Sequence, residues 1–154
     1  MSADESSQAN ALSDLCSAAE LAAAEGSIGD AAGALNAALA LADLSANEHQ
    51  RLAACGEAIA ARLETAPAFD EATRTLLLIA AKTARVHSGL AGDWPGARRA
   101  EHRLARAHLA IGDTAAALRH ARQNLELCEA GEAGEDERRS ARELLERIRR
   151  ATAE

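Results

Sequence analysis

The sequence has almost no aromatic side chains: it holds one Phe, one Trp and no Tyr. β-branched apolar residues are equally scarce, with 5 Ile and 1 Val against 42 Ala and 20 Leu. Strands favour β-branched and aromatic residues, whereas Ala and Leu favour helices. The composition therefore predicts an all-α protein, with no strand and a core of thin, closely packed helices.

Long hydrophobic runs are also missing. No stretch approaches the ~20 uninterrupted apolar residues of a membrane-spanning helix. The N-terminus, MSADESSQAN, is polar and acidic, unlike a signal or transit peptide. The three cysteines, Cys16, Cys55 and Cys128, are widely spaced and form no CxxC motif, which predicts reduced thiols rather than a disulfide framework. We therefore expect a cytoplasmic protein with no membrane partner.

Basic charge is lacking in the first half of the chain. Residues 1–70 carry 11 acidic and 2 basic side chains, a net charge of −9, while residues 71–154 carry 13 and 15, a net charge of +2. Domains that bind nucleic acid usually carry a strongly basic face. An acidic half and a nearly balanced half therefore predict no nucleic-acid partner.

Motifs of catalysis are absent as well. The chain contains no HExxH motif, no phosphate-binding loop, no Gly-rich dinucleotide fingerprint and no Ser-His-Asp order. Single cysteines on apolar helix faces are usually small core residues. The sequence thus predicts a protein that is not an enzyme, with no catalytic residue, no metal site and no cofactor.

Three Gly-Asp pairs punctuate the chain, at 29–30, 92–93 and 112–113. Gly at the end of a helix accepts a left-handed conformation, and Asp caps the next helix by accepting a backbone N–H. Each pair therefore predicts a tight turn between two helices. Pro95 follows the second pair in a first helical turn, where its missing N–H is tolerated.

Apolar periodicity predicts one α-helical domain over residues 10–154, after a disordered segment at 1–9. Seven helices are expected, and the fourth, with the cleanest periodicity, is predicted to be central. Gly56 interrupts the third helix and predicts a close contact with a neighbouring helix. The expected helices lie at about 10–25, 30–44, 45–64, 68–90, two within 92–128, and 135–152.

The turns and their flanking residues resemble the tetratricopeptide repeat, in a degenerate form. One copy consists of Leu104-Ala105, Gly112-Asp113, Ala117-Leu118, Leu125 and Leu127, and the other of Leu21-Ala22, Gly29-Asp30, Ala34-Leu35 and Leu44. The aromatic positions of the family are filled here by Glu101, His108 and Ala121. The resemblance implies about three antiparallel helical hairpins in a right-handed superhelix, closed by the Arg-rich seventh helix as a C-terminal cap.

The resemblance also implies a non-catalytic protein–protein interaction module: a scaffold, an adaptor or a chaperone-type peptide binder. Small acidic tetratricopeptide proteins of similar length act as chaperones for secreted bacterial proteins. Since guanidinium groups pair with carboxylates, the expected partner is a protein or peptide, with acidic segments as candidates. The arginines can equally form a solvated outer face, and Trp94 can serve packing instead of binding. The candidate partner-binding residues are Arg98, Arg103, Arg106, Arg119, Arg122 and Trp94.

Histidines on helices five and six leave an alternative function open. His102 and His120 are predicted to approach each other across the hairpin, and His108 lies on the same pair of helices. The alternative is a helical regulator that binds a small molecule or a metal through this His/Arg cluster. Solvated or half-buried histidines with no ligand explain the same pattern.

Overall fold

A computed structural model of the chain describes residues 3–153, and this range forms seven α-helices and no strand. The all-α prediction is therefore confirmed for the described residues. The helices are α1 (Ala3–Ala24), α2 (Ile28–Leu39), α3 (Ala46–Glu64), α4 (Glu71–Leu90), α5 (Trp94–Ala110), α6 (Thr114–Ala130) and α7 (Glu135–Ala153).

Consecutive helices pack against each other, except that α2 makes little contact with α3. The odd-numbered helices also touch in a row, because α3 contacts both α1 and α5, and α5 contacts α7. This order is compatible with a helical repeat fold. The helix predicted to be central, α4, contacts α2, α3 and α5, but α5 contacts more helices, namely α3, α4, α6 and α7.

The core has one large part and two small ones. The large part is built from α1 to α5 and includes Leu12, Leu52 and Leu76. A smaller cluster joins α5, α6 and α7 around Ala117 and Ile148, and another lies at the α6–α7 turn. Since α5 borders two of these clusters with its apolar face, its opposite face is left for polar side chains.

Three helix junctions have the same backbone geometry. Gly26, Gly92 and Gly112 have φ values of +79°, +74° and +83°, so each occupies the left-handed region that favours glycine. Asp93 and Asp113 cap α5 and α6, each accepting a backbone N–H. The turns predicted at 92–93 and 112–113 are confirmed.

The connection predicted at residues 26–29 is present, but its left-handed glycine is not the Gly29 of the Gly-Asp pair. The left-handed residue is Gly26, and α2 already begins at Ile28, so Gly29 and Asp30 lie in its first turn. Ser27 takes the place that Asp occupies in the other two turns, without a side-chain cap hydrogen bond. A Gly-Asp pair therefore forms a turn only where the preceding helix ends next to it.

Two helix boundaries also differ from the prediction. α1 begins at Ala3, although the apolar stripe starts at Leu12 and residues 1–9 were expected to be disordered. Residues 1 and 2 lie outside the described range. α2 ends at Leu39, and Leu41 and Leu44 lie in the following connection, where both still pack against the core. Their burial depends on the fold of the connection, because they are not on the helix.

Gly56 marks the closest helix contact. A Cβ atom at this position would lie 2.5 Å from the Ala80 carbonyl oxygen and 2.8 Å from the Ala84 nitrogen. At such distances no side chain fits unless the backbone of α4 shifts, so the prediction of a close approach is confirmed. α3 and α4 pack together at this glycine, which positions α3 beside α5.

None of the helices in the described range has the length and apolarity needed to cross a bilayer.

Candidate binding groove

Three adjoining cavities follow α5 and together form what we term the α5 groove. The central cavity, of about 400 Å³, lies between α3, α5, α6 and α7. An alanine-lined cavity, also of about 400 Å³, shares Glu57 and Arg99 with it, and a third cavity of about 260 Å³ shares Glu64 and Arg106. The central cavity is lined by Glu57, Glu64, Arg98, Arg99, His102, Arg103, Arg106, Asn124, Cys128, Asp136, Glu137 and Ser140.

The sequence of α5 explains why its groove face is charged. Arg99, His102, Arg103 and Arg106 recur at spacings of three and four, so they follow one side of the helix. The buried residues of α5 follow the other sides and include Ala97, Ala100, Leu104, Ala105 and Ala107. Burial of these residues, all but Leu104 alanines, holds α5 close to its neighbours and leaves the long charged side chains on the groove side.

Arg103 is held by two acids of α3. Its Nη2 donates to Glu57 Oε1 at 2.8 Å and its Nη1 to Glu64 Oε2 at 2.7 Å. Burial disfavours the charge, but the hydrogen bond and charge of Glu57, with those of Glu64, raise the pKa of Arg103 above its ordinary value. Arg103 therefore joins α3 to α5 across the floor of the groove.

Arg98 has a similar structural role toward α7. Its Nη2 donates to Glu137 Oε1 at 2.9 Å, and Arg98 is buried. The backbone N–H of Gly134 and the Arg98 guanidinium lower the pKa of the Glu137 carboxyl. Two of the predicted partner-binding arginines, Arg98 and Arg103, thus already have acidic partners inside the protein.

Arg99 and Arg106 carry the more available positive charge in the central cavity. Arg106 Nη2 lies 3.9 Å from Glu64 Oε2, the same oxygen that Arg103 binds at 2.7 Å. Arg99 is exposed and has no acidic oxygen within 4.0 Å among the described residues. Arg99 is therefore free to bind an external anion, and Arg106 is held only by its long contact to Glu64.

His102 lies between these two arginines on the groove face. Burial, followed by the charges of Arg106, Arg147 and Arg103, lowers its pKa below the ordinary value of 6.5. Its Nδ1 lies 3.3 Å from Asn124 Nδ2. The ring is consequently neutral near pH 7 and does not add to the positive charge of the groove.

The remaining candidates lie elsewhere. Arg119 and Arg122 are exposed on α6 and line none of the three cavities. Trp94 is 55% exposed at the start of α5, so a packing role inside the core is excluded. The structure therefore brings Arg98, Arg103 and Arg106 together in the groove and leaves the other three candidates outside it.

Glu101 has partners that sequence reasoning missed. Its buried carboxylate accepts from Arg85 Nε of α4 at 2.6 Å and from His120 Nδ1 of α6 at 2.7 Å. His120 also stacks on His108, with ring centroids 5.2 Å apart. The predicted approach of His102 to His120 is wrong, because His120 binds Glu101 while His102 faces Asn124.

The acids that line the groove were also missed, as was Arg147. Glu57, Glu64 and Glu137 contact arginines at least 39 positions away in the sequence, so no local spacing points to them. Periodicity showed only that the arginines of α5 share a face. Among the side chains of residues 6–153, no three from His, Cys, Asp or Glu are grouped so that they could hold a metal ion.

Comparison with protein-family models, with curated proteins and with solved structures finds no match to this chain.

Proposed function

We propose that this chain is a non-catalytic interaction module that binds an extended segment of a partner protein in the α5 groove. The observation that carries the proposal is the continuity of the three cavities along α5 from Gly96 to Ala110. At 1.5 Å per residue this stretch is about 21 Å long. An extended peptide of about six residues spans the same distance.

The groove is suited to a peptide because its walls are prepared before binding. Arg98 and Arg103 are fixed by ion pairs with α7 and α3. Side chains that are already ordered lose little conformational entropy when a ligand arrives. On α3, the exposed Ala54, Ala58 and Ala61 give the alanine-lined cavity a smooth wall for a peptide backbone.

The preferred partner segment carries acidic residues. Arg99 lines the central and alanine-lined cavities, while Arg106 lines the central and third cavities. They are seven residues apart on one helix face, a rise of about 10 Å. Two acidic side chains of one peptide can therefore pair with them at the same time. Arg98 and Arg103 contribute to the walls and not to this charge.

The fold supports the proposal in its tetratricopeptide form. When Gly26 is aligned with Gly112, Ala19 and Ala31 correspond to Ala105 and Ala117. All four alanines are fully buried. In this form α1–α2, α3–α4 and α5–α6 are three hairpins of a right-handed superhelix, α7 is the cap, and the odd-numbered row faces the partner. A chaperone-type binder in the cytoplasm, where the three free thiols stay reduced, is one version of this function.

The test begins with selection of peptides from a random displayed library against the purified protein. Selected peptides are then titrated against two variants that introduce a bulky side chain at an exposed alanine. Ala58→Trp fills the alanine-lined cavity and is expected to weaken binding at least tenfold. Ala115→Trp lies on α6 outside the three cavities and is expected to bind normally.

Charge is tested on the same peptides. Arg99→Glu and Arg106→Glu should each weaken an acidic peptide and reduce the salt dependence of its affinity. Arg122→Glu removes the same charge from an exposed position outside the groove and serves as the control. If no peptide is enriched, or if the two tryptophan variants bind equally well, the proposed function is wrong.

A further inference from the structure

The third cavity of the α5 groove differs from the other two because it combines charge with an apolar wall. It has a volume of about 260 Å³. Its lining consists of Arg106, Arg147 and Glu64 together with Phe69, Ala107, Leu109 and Ala110. Phe69 is the single phenylalanine of the chain. We call this space the Arg106–Arg147 cavity.

Positive charge prevails in this cavity. Glu64 is the acid of its lining, and Glu64 Oε2 is already held by Arg103 at 2.7 Å, against 3.9 Å to Arg106. Arg147 is exposed on α7, and no acidic oxygen of the side chains of residues 6–153 lies within 4.0 Å of its guanidinium. Arg147 thus has no close acid of its own, and Arg106 has only a long contact, at 3.9 Å, to an acid that Arg103 already binds.

The lowered pKa of His102 is a second indication of the positive charge near this cavity. Arg106 and Arg147 both act on its imidazole and, after burial, are the next causes of its lowered pKa. The two guanidiniums are therefore close enough to a common point for their fields to add there. Like charges brought together in this way are relieved when an anion binds between them.

We propose that the Arg106–Arg147 cavity binds a carboxylate carried on an apolar body. The carboxylate pairs with the two guanidiniums, and the body packs on Phe69 and Leu109. A carboxylate fits better than a phosphate dianion, because two arginines and Glu64 leave a net charge of +1 in the lining. The carboxylate has two possible sources: an acidic residue of a partner peptide, which rests on the proposed function, or a free small carboxylic acid.

The free-acid source is tested with phenylacetate, and its neutral isostere phenylacetamide is the control. Binding is followed by NMR, through the Nε–H resonances of Arg106 and Arg147 and the ring resonances of His102. Phenylacetate should shift all three, while phenylacetamide should leave them in place. Since the carboxylate screens the two arginines, the pKa of His102 should rise when phenylacetate is bound.

Variants then locate the site. Arg106→Gln and Arg147→Gln should each weaken phenylacetate about tenfold, as expected for loss of one charge-assisted hydrogen bond. Two matched controls remove the same charge at exposed positions outside the three cavities: Arg122→Gln on α6 and Arg142→Gln on α7. Both should bind normally. Equal affinity for acid and amide, or equal losses in all four variants, would overturn the proposal.

The peptide source is tested with an acidic peptide from the selection described above. Each Glu of the peptide is replaced by Gln in turn, and the affinities for the wild type and Arg147→Gln are compared. If a peptide carboxylate binds in this cavity, one particular Glu should behave differently in the two proteins. Its replacement by Gln should weaken binding to the wild type but should not weaken binding to Arg147→Gln any further. If peptides bind but no Glu behaves so and phenylacetate does not bind, this inference fails and the proposed function stands. If phenylacetate binds and no peptide does, this inference stands and the proposed function fails.

Discussion

His49 Nδ1 and His87 Nδ1 lie 2.8 Å apart, and the two rings stack with their centroids 5.0 Å apart. A hydrogen bond between two such nitrogens needs one N–H and one lone pair, so at least one ring is neutral. Burial and the charge of His49 lower the pKa of His87. This contact joins α3 to α4 and makes their packing sensitive to acid.

The first prediction concerns pH. The pKa values of His87, His102 and His108 are all lowered in the folded protein, first of all by burial. Unfolding releases them to bind protons near their ordinary pKa of 6.5. Their contribution to stability is therefore complete above that pH and is lost as the pH falls below it. Urea unfolding between about pH 7.5 and pH 5 should show a falling free energy of unfolding.

The variant His87→Gln should make that pH dependence less steep, because one of the three groups no longer takes up a proton on unfolding. A free energy of unfolding that stays constant over this pH range, after correction for carboxyl groups with a reference titration, would contradict the assignment.

The second prediction concerns Gly56. Gly56→Ala forces a methyl group against the backbone of α4 and should destabilise the protein by about 1–3 kcal/mol, the usual cost of overpacking. Gly33→Ala is the matched control, since it lies inside α2 with no atom within 4 Å of the new methyl group. It should stabilise by up to about 1 kcal/mol. Thermal or urea unfolding of both variants measures the difference, and changes of the same sign would refute it.

The third prediction concerns the α5–α6 turn. Gly112 has φ +83°, so Gly112→Ala places a Cβ atom in the left-handed region, at a cost of about 1–2 kcal/mol. Gly134 lies in the α6–α7 connection without a positive φ, and a Cβ atom there meets Glu137 only at 3.7 Å. Gly134→Ala should leave stability nearly unchanged. Comparable losses in the two variants would argue against the turn geometry.

The fourth prediction concerns the buried carboxylate of Glu101. Glu101→Ala leaves Arg85 and His120 without their acid and should destabilise by about 3 kcal/mol, since breaking a buried ion pair leaves an unpaired charge. Glu146→Ala removes an acid from the exposed pair with Arg149 and should change stability by less than about 1 kcal/mol. Denaturant unfolding of the two variants tests the contrast; a similar loss in both would show that burial does not matter here.

Local chemistry along the chain was sufficient to predict the all-α class and most helix positions. Ser45 and Glu48, three residues apart, form a capping box at the start of α3, and the junctions at Gly92 and Gly112 have the predicted geometry. These features depend on residues within a few positions of each other, so they can be identified from the sequence alone. Gly56 was predicted to mark a close contact, but only the structure separates it from Gly33, which lies inside α2 with open space around it.

The partners of the groove residues depend on tertiary structure. Periodicity placed Arg98, Arg103 and Arg106 on α5, but it could not show that Glu57, Glu64 and Glu137 neutralise two of them. Likewise, Cys16 and Cys55 are 39 positions apart, yet Cys55 Sγ lies 3.7 Å from the Cys16 carbonyl oxygen. Arg147 lines the Arg106–Arg147 cavity only because the fold packs α7 beside α5.

The physical reason for this division is the range of the interactions. Helix propensity, caps and turns are decided by atoms a few residues apart, so they can be identified from neighbouring positions in the sequence. A groove is made by side chains of several helices, and whether an arginine in it is paired or free depends on which acids the packing brings within 4 Å. The sequence by itself therefore determined that α5 has a basic face, and only the tertiary structure decided which of its charges remain available to a ligand.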